Sequence, residues 1–152
     1  MRRLSRILAV SLAAAAFSAA AAGPTRTDPV RFRQGLMAAM GWNADALGDA
    51  VRRAGALDAK EITLRAERLA AFGAQIAEGF PKPAAGDKGP VTDAAPEIWS
   101  DAAGFQAKID AYLAASQKLV DVANSGDEAQ MKSQYRNVMS SCRSCHDTYK
   151  AD

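Results

Sequence analysis

Apolar side chains recur along this chain at intervals of three and four residues, and the recurrence resolves into four separate stripes. The first opens at Asp28-Pro29, a capping residue followed by proline at the first helical position, where its missing N–H costs nothing. It carries Phe32, Leu36, Met37, Met40, Ala44, Leu47 and Val51 and ends near Gly55. The second carries Ile62, Ala66, Leu69, Phe72, Gly73, Ile76 and Phe80, and the third Phe105, Ile109, Tyr112, Leu113, Ser116, Leu119, Val120 and Ala123. The fourth starts at Asp127, with Gln130 three residues on in a capping-box arrangement. It runs on through Met131, Tyr135, Val138, Met139, Cys142, Cys145, His146 and Tyr149. No stretch alternates with a period of two over a useful length, so a sheet is not expected. The predicted fold is all-α.

Connections fix the topology. Gly55 to Asp58 and Asn124 to Gly126 are short, which predicts antiparallel neighbours for the first and second helices and for the third and fourth. Between the two pairs lies Gly79 to Pro96, with four prolines and three glycines, long for a compact domain and read as a crossover. The expectation is an antiparallel up-down four-helix bundle. Trp99, just before the third stripe, is expected to pack against a helix end.

The N-terminus adds a separate element. Arg2, Arg3 and Arg6 precede an apolar stretch from Ile7 to Phe17, and Ala20-Ala21-Ala22 offers an Ala-x-Ala cleavage site before Gly23-Pro24. Residues 1–22 therefore read as an export signal, the apolar core falling short of the ~20 strongly hydrophobic residues of a membrane span. Residues 23–152 form one domain, soluble and periplasmic once the leader is cleaved. Loss of the three arginines takes the formal charge from +2 to −1, sixteen basic against seventeen acidic side chains. Such a balance gives no support for nucleic acid or an anionic membrane as partner.

The chemistry is concentrated near the C-terminus. Cys142-Arg143-Ser144-Cys145-His146 contains both cysteines and the one histidine of the chain. Cys-x-x-Cys-His is the attachment signature of c-type haem. On a helix the two thiols stand three residues apart and Cys142 and His146 four apart, so all three share one face. One porphyrin can then be held at its edge by two thioethers and at its iron by the imidazole. Other uses of the pattern fit less well. A dithiol redox centre belongs near a βαβ unit, and none is visible. A zinc site wants four ligands, and the chain has three Cys/His side chains. A disulfide between helical thiols three apart would be strained. Because the motif continues the apolar stripe of its helix, the haem is expected inside the bundle.

Together these features resemble the class II c-type cytochromes, the group containing cytochrome c′ and its low-spin relative cytochrome c-556. The resemblance is carried by Arg33-Gln34-Gly35-Leu36-Met37, Gly41 and Ala46-Leu47-Gly48. It continues through Gly79-Phe80-Pro81, Pro96-Glu97-Ile98-Trp99-Ser100-Asp101 and Phe105 to the C-terminal Cys142-x-x-Cys145-His146-Asp147-x-Tyr149-Lys150. It implies a four-helix bundle with one covalent haem c, carried by Cys142 and Cys145 with His146 as proximal ligand. It also implies that Arg33, Gln34 and Phe80 lie in the haem pocket near the propionates, and that Lys150 lies close to the proximal side. Relatives of this kind often form homodimers through their first two helices.

Function then turns on the sixth position of the iron. No second histidine exists, so bis-histidine ligation within one chain is excluded. Met37 matches the family's distal position and lies four residues after Arg33 on the same helical face. Met40, Met131 and Met139 read as core filler. With the Met37 thioether on iron, the protein is an electron carrier whose potential the sulfur raises, serving redox partner proteins. With Met37 merely packed over the iron, the open position admits NO or CO, as in cytochrome c′. An enzyme is not expected, since peroxide chemistry wants a distal acid/base and no histidine is left to serve.

Overall fold

The computed structural model describes residues 28–53, 58–82 and 92–151. The leader over 1–22, residues 54–57 and most of the crossover, 83–91, lie outside them. Five α-helices follow one another: α1 (Pro29–Arg52), α2 (Ala59–Gly73), a one-turn α3 (Glu97–Ser100), α4 (Ala102–Ser125) and α5 (Glu128–Tyr149). The four long ones, α1, α2, α4 and α5, are the bundle.

Helix starts follow the capping chemistry. The Asp28 carboxylate accepts from the Val30 and Arg31 N–H groups, with proline at the first helical position. Asp58 accepts from Glu61 N–H, Asp101 from Gly104 and Asp127 from Gln130. Each satisfies a donor that has no partner inside its own helix. At Asp127 the box differs from expectation. The Gln130 side-chain amide donates to the Asp127 carboxylate at 2.7 Å, while the Asp127 N–H goes to Ser125 Oγ at 3.3 Å. Between α4 and α5 the chain reverses at Gly126, whose φ of 72° is the left-handed conformation that favours glycine at a helix C-terminus.

Leu47, Leu69, Leu119 and Val138, one from each long helix, are fully buried. Each removes roughly 1.5–3 kcal/mol worth of apolar surface from water. Two elements depart from the sequence pattern. The second stripe does not run as one helix to Phe80: α2 stops at Gly73 and the chain turns through a 3-10 segment, Ile76–Gly79. At Gly73 the backbone presses on the Tyr112 ring of α4, and a Cβ there would collide with it. Phe32 leaves the α1 stripe and is 39% exposed, while Arg33 is buried at 7%. Arg33, Leu36, Met40, Ala44 and Leu47 keep one helical face, and the cation takes the inward position that the apolar pattern gave to Phe32.

The crossover is tied down at both ends. Trp99 Nε1 donates to Pro81 O at 2.9 Å, so this side chain joins the two ends of the connection as well as packing on the core. Ala95 N–H donates to Tyr149 O and Ala151 N–H to Asp93 O, making an antiparallel bridge between Ala94 and Lys150. A Lys150–Asp93 ion pair at 3.4 Å lies on the same strap. The helix carrying the cysteines is thereby stapled to the crossover just beyond its last turn. Of the neighbouring pairs among the four long helices, α1 and α5 touch least.

Candidate functional site

A cavity of about 500 Å³ opens in the bundle, walled chiefly by α1, α4 and α5, with contributions from the 3-10 segment and the 92–94 strap. Its volume falls in the range of roughly 300–1,000 Å³ usual for ligand and cofactor pockets. Every residue singled out from the sequence lines it: Arg33, Gln34, Met37, Phe80, Cys142, Cys145 and His146. They come from three separate parts of the chain.

On the α5 wall, Cys142 and Cys145 are half-buried and carry no disulfide, and His146 is exposed at the mouth. Burial pushes both thiols above the ordinary range, with the neighbouring Cys145 adding to the effect at Cys142 and Lys108 opposing it at Cys145. Reactive dithiol centres show the reverse, depressed thiol values in electropositive surroundings. Among the described residues no cluster of three His, Cys, Asp or Glu could hold a bare metal ion.

From α1 the cavity is lined by Met37, half-buried, and Met40, buried, and Met139 of α5 also reaches it. Met40 and Met139 are core residues as expected, and they line the cavity as well. Arg33 rims it. Its Nη1 donates to Gly79 O at 3.0 Å and its Nη2 to Thr92 Oγ1 at 2.9 Å, and its guanidinium lies 5.0 Å over the Phe80 ring. Both oxygens are neutral, so the buried cation meets no carboxylate through these bonds. Burial accordingly lowers the Arg33 pKa, opposed by the charge of Asp28. Gly79 allows the approach, since a Cβ there would come 2.7 Å from Arg33 Cβ.

An apolar cavity with two thiols and an imidazole on one wall suits a haem attached at its edge and ligated at its iron. A buried guanidinium held by the neutral oxygens of Gly79 and Thr92 suits a group carrying carboxylates at the rim. The residues present therefore fit a c-type haem.

Several contributors are not legible in the stripes. Thr92, which holds Arg33, lies in the crossover, where no periodicity exists to read. Lys108 of α4 reaches across to Ser144 Oγ at 2.6 Å, between the two cysteines on α5, and looks in the sequence like any surface lysine. Tyr112, read as a core residue, also faces the cavity and donates to Leu69 O at 3.0 Å. Lys150 lines the cavity, but Asp93 draws its ammonium to the strap.

A sequence profile of the family described as Cytochrome C' matches residues 28–150. Cytochrome c' of Alcaligenes xylosoxydans xylosoxydans is 32% identical over 126 residues, covering 81% of this chain and 93% of that one. Among solved structures, cytochrome c prime from Shewanella frigidimarina superposes with a TM-score of 0.75 at 30% identity, covering 82% of this chain and 95% of that chain. A nitric oxide complex of a mutant cytochrome c prime from Alcaligenes xylosoxidans gives 0.74 at 32% identity, covering 82% and 94%. With its all-helical bundle and a cavity walled by the Cys-x-x-Cys-His helix, this chain belongs to the cytochrome c′ family of haem proteins, which carry covalently attached haem c.

Proposed function

We propose that this protein is an exported carrier of single electrons, with Cys142 and Cys145 holding the haem through thioethers, His146 as proximal ligand and the Met37 thioether as the sixth. The observation that supports this reading is that Met37 of α1 and His146 of α5 line one cavity from different helices. The bound haem would supply the Fe(III)/Fe(II) couple. The protein's share is to fix the edge through two cysteines one turn apart, exclude water with an apolar wall, and hold Arg33 beside the propionates with Gln34 and Phe80. A thioether raises the potential of the iron it binds. Visible absorption of the purified ferric protein tests the reading. A sulfur-to-iron charge-transfer band toward the red, lost in Met37→Ala and kept in Met40→Ala, is the expected result; a high-spin spectrum in the unsubstituted protein defeats it.

The solved nitric oxide complex of the relative favours a second reading. Here Met37 packs over the iron without binding it, and NO or CO enters the open position after a local displacement. The spectrum of the ferrous protein at the start of a CO titration separates the two readings. A ferrous protein that is high-spin before CO is added, in parent and Met37→Ala alike, supports gas binding, whereas a low-spin ferrous spectrum that turns high-spin in Met37→Ala supports ligation.

Two further parts of the reading concern location and assembly. No described helix is long and apolar enough to cross a membrane. Cleavage after residue 22 and release to the periplasm predict a mature mass equal to residues 23–152 plus one haem. The large apolar side chains exposed among the described residues, Phe32, Trp42 (72%) and Leu64 (43%), lie on α1 and α2. Self-association through these two helices would cover them, and sedimentation of Trp42→Lys against the parent protein tests it.

A further inference from the structure

One of the three tyrosines is built differently from the other two. Tyr149 lies three residues after His146, one turn along α5, and lines the same cavity. Its ring is buried, at 4% exposure, and packs edge-on against Phe105, with centroids 5.2 Å apart. Its hydroxyl donates to Asp101 Oδ2 at 2.7 Å, in a part-buried hydrogen bond. Asp101 is itself fixed, because its other oxygen caps α4 by accepting from Gly104 N–H at 3.1 Å. Gly104 leaves the room for this meeting, since a Cβ there would collide with the Asp101 carboxylate. Asp101 is exposed, so a proton placed on it has a direct exit to solvent.

The other two phenols lack this arrangement. Tyr112 also lines the cavity, yet it donates to the carbonyl of Leu69, which cannot take a proton away. Tyr135 is half-buried near Arg52, Asp45 and Asp49, and among the described residues no hydrogen bond joins it to a carboxylate.

We propose that Tyr149, with Asp101 as its proton acceptor, is a one-electron donor toward the haem site when the haem meets a hydroperoxide. The proposal rests on the haem being held by Cys142, Cys145 and His146, and on the second reading above, in which the sixth position is open to an incoming hydroperoxide. Breaking the O–O bond of a hydroperoxide consumes two electrons and two protons and yields an alcohol, or water from hydrogen peroxide, together with water. In the ferrous protein, the change to ferric accounts for one electron. Tyr149 supplies the second, becoming a neutral phenoxyl radical as its hydroxyl proton passes to Asp101 and on to water. Solvent returns the two protons that the oxygen atoms need.

Charge on the pair suits this role. The hydrogen bond to Asp101 holds the Tyr149 hydroxyl up at about 12, so the phenol keeps its proton at neutral pH. The same bond, with that from Gly104 N–H, holds Asp101 below the usual carboxylate range, so it stands ready as an anion. A phenol that has lost an electron is a strong acid and gives its proton to a carboxylate at this distance. The one-turn spacing from His146 keeps the donor near the iron ligand, while the exposed carboxylate keeps the proton out of the cavity.

The test uses haem-loaded mature protein, reduced, mixed with hydrogen peroxide and freeze-quenched for electron paramagnetic resonance. The expected result is a tyrosyl radical in the parent protein, in Tyr112→Phe and in Tyr135→Phe, abolished in Tyr149→Phe. Asp101→Asn should lose most of the signal, and because asparagine caps a helix as well as aspartate does, the fold is retained. An unchanged radical in Tyr149→Phe, or in Asp101→Asn, overturns the proposal. So does the absence of any tyrosyl signal in parent protein whose mass and absorption show covalent haem, a result that leaves the haem assignment standing. Failure of the haem assignment itself is distinct, appearing beforehand as colourless protein of bare polypeptide mass.

Discussion

Arg33 joins α1, the 3-10 segment, the crossover strap and the cavity rim, so replacing it probes all of them together. Arg33→Met keeps the length of the aliphatic stem and removes every donor. It abolishes the bonds to Gly79 O and Thr92 Oγ1 and the stacking on Phe80. Hydrogen bonds from a charged group are each worth roughly 1.5–3 kcal/mol. The bond to Gly79 counts nearly in full because it is buried. The one to Thr92 counts for less, since that hydroxyl still accepts from Ala94 N–H. Cation–π contact adds about 0.5–1 kcal/mol. Relief from holding a charge in a buried place works in the opposite direction. The balance is a loss of about 2 kcal/mol. Guanidinium unfolding of the haem-loaded protein, followed by far-ultraviolet dichroism, measures it. Arg33→Lys should recover less than half, because an ammonium cannot serve two divergent acceptors as the planar guanidinium does. The reduction potential should also fall in Arg33→Met, since a cation beside the haem disfavours the more positive ferric state. A loss of less than about 0.5 kcal/mol, or full recovery by lysine, would refute the reasoning.

Gly79→Ala should destabilise by about 1–3 kcal/mol through overpacking against Arg33 and should shift the same potential, as redox titration would show. Leu119→Ala, at a fully buried site in α4, should cost about 3–5 kcal/mol in denaturant unfolding with little change in the visible spectrum. At Gly126 there is open space but a φ of 72°, so Gly126→Ala should cost about 1 kcal/mol of backbone strain and nothing from packing, read from the same unfolding curves. Asp127 is held below the value of an unperturbed aspartate, first by the hydrogen bond from the Gln130 N–H. Its contribution to stability is present above that unfolded-chain value and is lost as pH falls through the lowered folded value. Thermal melts of Asp127→Asn should show a shallower decline below about pH 4 than the parent protein.

Most of the bundle is legible in the chain because its causes are local. Asp28-Pro29 and Asp127 start helices through bonds made within a few residues of themselves. The four stripes name the faces that meet, and Leu47, Leu69, Leu119 and Val138 follow from them. The Cys142–His146 motif is legible for the same reason, since its chemistry depends on spacing along one turn. Phe32 departs from its stripe because a helical period tolerates a neighbour one position away, and Arg33, which the family resemblance puts in the pocket, takes the buried position instead. The end of α2 is not legible, because where Gly73 meets the Tyr112 ring of α4 is a contact between helices that no stripe records.

Local sequence, then, settled the helices, their antiparallel pairing and the thiol–imidazole cluster, all of which depend on residues within a turn or a short loop of one another. Tertiary structure alone decided where the cavity opens and that Arg33 is held by Gly79 and Thr92. It alone also brought the Tyr149 hydroxyl to Asp101 and the Lys108 ammonium to Ser144. Those contacts join residues 36 to 59 positions apart. No periodicity or spacing records such a pairing, because only the packing of one helix on another brings the partners within reach.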